Sequence, residues 1–362
     1  HVEPACQAQQ PMVKVVGLGD PVMDILAHVD HATLASITTG EPGGCFQLQP
    51  DQMSQLLEAA AACSTLKRIP GGSAANVMKG LANISRGSVH CKFLGMIGKD
   101  LTGQEYRTKL AEQGVDPVLL ESDSGAPSAR AVCLVTPDGQ RTMRTCLGAS
   151  LELQKGSQLP SSWGHGLKLL HCEGYCLYRP TLTKELTLAA KEKGALVSID
   201  LASFELVRNC KDGFLDLLRS GCIDLLFANE EEVVTLAVEL GLAPAEASHA
   251  DKIVAAQDFL LKHIQVSVVS MGPRGCQARS RSGEKGCSGA ANVKVVDTIG
   301  AGDCFTAGFL FAFLQGADLQ RSSEVGCAAG AQAVQAEGAE LTEEAWQGLR
   351  TRAAALLSQS SR

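Results

Sequence analysis

Two aspartates and three small residues share seven consecutive positions, Asp297-Thr298-Ile299-Gly300-Ala301-Gly302-Asp303. A nearly all-apolar run follows, with Phe305, Phe309, Leu310, Phe313 and Leu314, the pattern of a buried helix. At the start of such a helix the N–H groups of Gly300 to Asp303 carry the positive end of the dipole, so they form an anion cradle. On its own, Asp303 reads as a helix cap worth about 1 kcal/mol. Beside a cradle, a carboxylate can also take a proton from a hydroxyl while the amides steady a transferring phosphoryl group. The cap accounts for Asp303 alone. Phosphoryl transfer also accounts for Gly300, Ala301 and Gly302, which let a phosphate approach the backbone.

Other stretches carry weaker signals. In "PGGSAANVMKGLA", Gly71 and Gly72 precede Ser73, a candidate cap, and Asn76, with Val77, Met78, Leu81 and Ile84 at helical spacing. "GLGDPVMD" holds Asp20 and Asp24 but lacks the third glycine of a dinucleotide fingerprint, and no GxxxxGK[ST] pattern occurs. In "CEGYCLYRP", Tyr175 and Tyr178 follow an apolar run; they could stack on a flat ring or simply pack under a loop.

Something must hold these residues. Apolar runs begin at Met12, Cys91, Leu167, Ala195, Asp224 and Val266, with amphipathic segments such as "TLTKELTLAAKEKG" between the later ones. That alternation predicts an α/β fold with a central, mostly parallel sheet flanked by helices, whose strand ends would carry the turns above. Two segments break the rhythm, about 25–50 and 118–150. The second carries a hairpin signal around Pro137-Asp138-Gly139. Both are expected to form a small antiparallel β-lid on a single domain spanning 12–345, with residues 1–11 as a disordered tail.

Bulk properties narrow the partners. A net charge of −7 without a basic block argues against nucleic acid. No apolar stretch reaches the roughly 18 residues of a membrane span. The 14 cysteines lack metal or disulfide spacing; the tightest pair, Cys172 and Cys176, is CxxxC. They read as reduced thiols in an intracellular compartment.

"DTIGAGDCFTAGFL" with "PGGSAANVMKGLA" resembles the paired signatures of the pfkB (ribokinase-like) carbohydrate and nucleoside kinase family, over residues 12 to 340. The resemblance implies Asp303 as catalytic base and Gly300, Ala301 and Gly302 as the anion hole. It implies that Asp24 holds substrate hydroxyls, with Gly71, Gly72 and Asn76 across the pocket, and it makes Arg141 the lid arginine. "FANEEEV" resembles the N-x-x-E motif, implying that Asn229 and Glu232 organise Mg²⁺ and the ATP phosphates through water. "VVSMGPRGC" resembles the ATP-side turn, with Ser270, Gly272 and Gly275. Family members often bind a monovalent cation such as K⁺, here through Asp297 and Thr298. One departure stands out: the late helix "GCAAGAQAVQAEGA" offers no Asn for the adenine ring.

Asp24, Asn76 and Asp20 together suit adjacent hydroxyls of a furanose. "GLGDPVMDILAHVD", with Pro21 between the glycines and Asp24, resembles the adenosine-kinase branch. "SIDLASFELVRN" is similar to plant members, so plastid and cytoplasm are both expected addresses. The expected function is ATP- and Mg²⁺-dependent phosphorylation of the 5′-hydroxyl of a nucleoside, a purine one by preference, with Tyr175 against the base. The rivals are a free-sugar kinase of ribokinase or fructokinase type and a non-catalytic regulatory homologue. The expected partner is a small molecule, and the protein is expected to be a monomer or a homodimer joined through the lid.

Overall fold

The computed structural model describes residues 12–38 and 44–358. The expected tail, residues 1–11, lies outside the described residues, as do 39–43 of the first lid segment. In chain order the strands are β1 (Val13–Leu18), β2 (Met23–His28), β3 (Cys45–Gln47), β4 (Lys67–Pro70), β5 (Val89–Ile97), β6 (Val115–Glu121) and β7 (Arg130–Val135). There follow β8 (Arg141–Cys146), β9 (Leu167–Glu173), β10 (Leu196–Asp200), β11 (Leu225–Asn229), β12 (Val266–Ser270), β13 (Cys276–Ser280) and β14 (Lys285–Ser288).

Nine strands form the main sheet in the order β14-β13-β12-β11-β10-β9-β1-β5-β6. It is parallel from β12 to β6, and β13 and β14 join antiparallel at one edge. All six apolar runs named above are strands of this sheet. Because side chains alternate across a strand, each must suit two apolar faces. On β1, Val15 enters one core with Met78, Phe93 and Phe309, and Val16 enters the other with Leu94, Leu186 and Leu236.

A five-stranded second sheet, β3-β8-β7-β2-β4, stands beside the first. The hairpin read around Pro137-Asp138-Gly139 is β7–β8, antiparallel in register from Arg130↔Cys146 to Val135↔Arg141. The lid sheet is mixed and not antiparallel throughout, since β2–β7 and β3–β8 are parallel pairs, and its boundaries need three corrections. Residues 115–121 belong to β6 of the main sheet; Pro117 sits on an edge strand, where a missing N–H is tolerated. Lys67–Pro70, which has no strand signal, pairs antiparallel with β2 as β4. The first segment also contains a helix, His31–Ile37, and runs into another, Pro50–Cys63. At the far end, helix Glu343–Ser358 buries Trp346, Leu349 and Ala353 against Ile84 and Val325, so the expected boundary at 345 falls inside it. Every described cysteine is a free thiol.

Candidate active site

The carboxyl ends of β9 to β12 open on a cleft of about 360 Å³, where a sheet of this kind takes its ligands. Asp24 on β2 and Met143 on β8 reach the same cleft from the second sheet.

The buried helix is Ala301–Leu314, and its N-terminus faces this cleft. Gly300 is its N-cap at φ 69°, a left-handed conformation natural to glycine, and no side chain caps the terminus. Asp303 is therefore not the cap. Its carboxylate turns to helix Ser73–Ser85: Ser73 Oγ donates to Oδ1 and Asn76 Nδ2 donates to Oδ2, both at 2.8 Å. These bonds fix the carboxylate plane and leave lone pairs for a third donor. Burial raises the Asp303 pKa above its usual value, and the two hydrogen bonds and Lys79 draw it back down. A Cβ added to Gly302 would meet nothing within 4 Å, so the cradle is open at that point.

Asp24 is half-buried in the cleft wall, and burial pushes its pKa up to about 7 against the pull of Lys79. Gly71 makes room for it, because a Cβ there would lie 1.9 Å from Asp24 Oδ2. Gly71 does this from outside the lining, with its carbonyl accepting from Tyr106 Oη at 2.8 Å. Gly72 lines the cleft and caps helix Ser73–Ser85 at φ 94°, with only 2.3 Å between an added Cβ and the Asp20 carbonyl. Ser73, the expected cap, is the first helical residue and is thereby freed for Asp303.

Asn229 and Glu232 form a reciprocal capping box: Asn229 Oδ1 accepts from the Glu232 N–H at 2.9 Å, and Glu232 Oε2 from the Asn229 N–H at 2.8 Å. Both line the cleft beside Ser270. Sequence reasoning missed Asp200, which lines it too, at the end of β10. Burial raises the Asp200 pKa to about 7, with the charge of Asp303 adding to it and a bond from Thr306 opposing it. Burial and the charge of Asp200 raise Glu232 to about 8. The signal was available: an Asp closing an apolar run, as Asn229 closes the next. Among the described residues no group of three or more His, Cys, Asp or Glu converges as a metal cage. Mg²⁺ needs none, since it keeps its waters and takes one or two carboxylates plus substrate phosphates. A pair of carboxylates, Asp200 raising the pKa of Glu232, with no Lys or Arg in the lining, fits that requirement.

Several expected residues stand elsewhere. Asp20 is buried against Arg179, its Oδ1 2.7 Å from Nη2, and is absent from the lining. Its backbone N–H donates to Glu173 at 2.8 Å, and Glu173 also accepts from Ala74 N–H, tying the β1 turn to helix Ser73–Ser85. Arg141 pairs with Asp297 at 2.7 Å and does not line the cleft. Asp297 accepts from Ile299 N–H and Gly338 N–H as well, and Thr298 is exposed. A carboxylate already holding three donors, one of them a guanidinium, does not fit a monovalent-cation site. Gly272 and Gly275 bracket a turn outside the lining; Gly275 packs on Ser288, an added Cβ meeting its carbonyl at 1.7 Å. Ala301 opens the helix behind the lining. Tyr175 lines the cleft at 42% exposure, whereas Tyr178 accepts from Asn209 and does not.

A half-buried carboxylate, fixed by two hydrogen bonds at an uncapped helix terminus and sharing its cleft with Asp200 and Glu232, suits phosphoryl transfer. The chain belongs to the pfkB family of carbohydrate kinases, whose pattern matches residues 45–346, and by class it is an ATP-dependent sugar or nucleoside kinase. "Probable fructokinase-6, chloroplastic" of Arabidopsis thaliana is 28% identical over 252 residues, 67% of this chain and 62% of that protein. The adenosine kinase of Sinorhizobium meliloti superposes with a TM-score of 0.79 at 26% identity, covering 94% of this chain and 99% of its own. A probable sugar kinase of Rhizobium etli does so with a TM-score of 0.79 at 25% identity, covering 95% and 99%. Among the described residues, no helix is long and apolar enough to cross a membrane.

Proposed function

We propose that this chain transfers the γ-phosphoryl group of ATP to the 5′-hydroxyl of a nucleoside, a purine one by preference. The observation that carries the reading is the Asp303 carboxylate, aimed by Ser73 and Asn76 beside an uncapped helix start. With the acceptor hydroxyl against Asp303, the carboxylate takes its proton as the oxygen attacks phosphorus, and ADP leaves. The Gly302 and Asp303 N–H groups face the charge that develops on the transferring group. Asn229, Glu232 and Asp200 would hold Mg²⁺ through its waters; when bound, it supplies positive charge against the phosphate oxygens. Asp24 and Asn76 suit the ribose hydroxyls, and the lid, through Met143, closes the pocket against water.

The nucleoside preference rests on Tyr175, an exposed ring on the cleft wall where a base can stack, and on the likeness to the Sinorhizobium adenosine kinase. The fructokinase and sugar-kinase relatives favour a second reading, a free-sugar kinase. The name of the Arabidopsis relative is in line with a plastid address, with cytoplasm as the alternative. ADP release is to be measured with inosine, guanosine, adenosine, uridine, ribose and fructose. Turnover on a nucleoside supports the proposal, and turnover on a free sugar alone overturns it. ATP binding with no turnover on any of the six points to a regulatory homologue.

A further inference from the structure

The loop that leads into the anion cradle is held from the lid by a fixed positive charge. Asp297 begins that loop, and its side chain is 1% exposed. Its Oδ1 accepts from Ile299 N–H at 2.8 Å, and its Oδ2 accepts from Gly338 N–H at 2.6 Å while pairing with Arg141 Nη2 at 2.7 Å. Arg141 and Met143 are two residues apart on β8 and so point to one face of the lid sheet. That face meets the loop twice: Arg141 takes Asp297, and Met143 packs with Ile299 against Leu26, Ile69 and Val135.

We infer that Arg141 takes the place of the monovalent cation that the family resemblance implies, so that this chain's anion cradle is ordered by its lid and not by an ion. The chemistry is one of charge and of donors. A potassium ion needs oxygens with free lone pairs, and a fixed positive charge beside them opposes it. Here the carboxylate is neutralised by a guanidinium that cannot lose its proton, and its oxygens already take three N–H donors. The Thr298 side chain is turned to solvent and adds nothing to a cage. Arg141 is thus a positioning residue: it touches no reacting atom and acts through Asp297 on Gly300 to Asp303. The turnover consequence rests on the kinase reading, whereas the ion consequence does not.

The test compares the full chain with Arg141→Met and Arg141→Lys in tetramethylammonium chloride and in potassium chloride at equal ionic strength. It reads the thermal midpoint and the line width of thallium(I) as a direct probe of cation binding, with turnover as a third readout. The parent and Arg141→Lys should keep one midpoint in both salts and leave the thallium line narrow. Arg141→Met should gain a potassium-raised midpoint and a broadened thallium line, and potassium should recover its turnover by about tenfold, or ~1.4 kcal/mol. Thallium broadening or a potassium-raised midpoint in the parent overturns the inference. So does a folded Arg141→Met protein as indifferent to the cation as its parent. The midpoint and the thallium line need no substrate, so they decide the question even if turnover on every nucleoside fails.

Discussion

Asn76 Nδ2 donates to Asp303 Oδ2 at 2.8 Å across 227 residues of sequence, joining two α-helix starts that are each capped by a glycine, Gly72 and Gly300. With Ser73 on the other oxygen, Asn76 aims the carboxylate. Asn76→Ala should therefore lower kcat by about tenfold to a hundredfold, as expected when a general base is present but loosely placed. If Asn76 served only to hold ribose, KM would rise with kcat unchanged, and steady-state kinetics separate the two.

Gly302→Ala and Gly71→Ala should fail in different ways. The first adds a methyl where nothing lies within 4 Å, so the thermal midpoint should hold or rise with the better helix former while turnover collapses. The second sets a methyl 1.9 Å from Asp24 Oδ2 and must displace that carboxylate or its own backbone, so midpoint and substrate affinity should fall together.

Tyr175→Ala should raise KM for a nucleoside by about tenfold, the equivalent of ~1.4 kcal/mol, and leave KM for ATP unchanged. Equal KM values in parent and variant would remove the ring from the substrate site.

Free-protein stability should fall as pH rises. Burial lifts Asp24 and Asp200 to about 7 and Glu173 and Glu232 to about 8, above their unfolded values. Between about pH 4 and 8 the native state then holds more protons than the unfolded chain, so this part of the stability is complete at the acid end and lost as the folded pKa values are passed. Thermal midpoints taken from about pH 5 to about pH 8 should decline, and Mg²⁺ should raise the midpoint most at the alkaline end.

Arg179→Met should destabilise the fold by about 3–5 kcal/mol, because it strands the buried Asp20 carboxylate beside Glu173. Denaturant unfolding measures it; a loss confined to substrate KM would return Asp20 to the substrate site.

Much of this architecture was legible in the chain. Six strands of the main sheet announced themselves as runs apolar on both faces, and the β7–β8 turn announced itself through Pro137-Asp138-Gly139. Asp303 and its glycines were legible because small residues before a buried helix have few other uses. What failed was pairing at a distance. No local pattern says that Asp20 belongs to Arg179, or that Arg141 belongs to Asp297, since long-range ion pairs leave no periodicity. β4 was hidden by a Pro-ended tetrapeptide and β6 by Pro117 at a sheet edge. Asp200 was visible at a strand end but lacked a neighbouring signal to single it out.

Asp303 is the residue on which the proposed phosphoryl transfer depends most. Turnover on the best nucleoside and binding of an ATP analogue by calorimetry, measured together for Asp303→Asn and the parent, test it most directly. The amide keeps the shape but cannot accept a proton, so turnover should drop by about 10³-fold while the thermal midpoint and nucleotide affinity stay near the parent's. A variant that turns over at close to the parental rate would contradict the account.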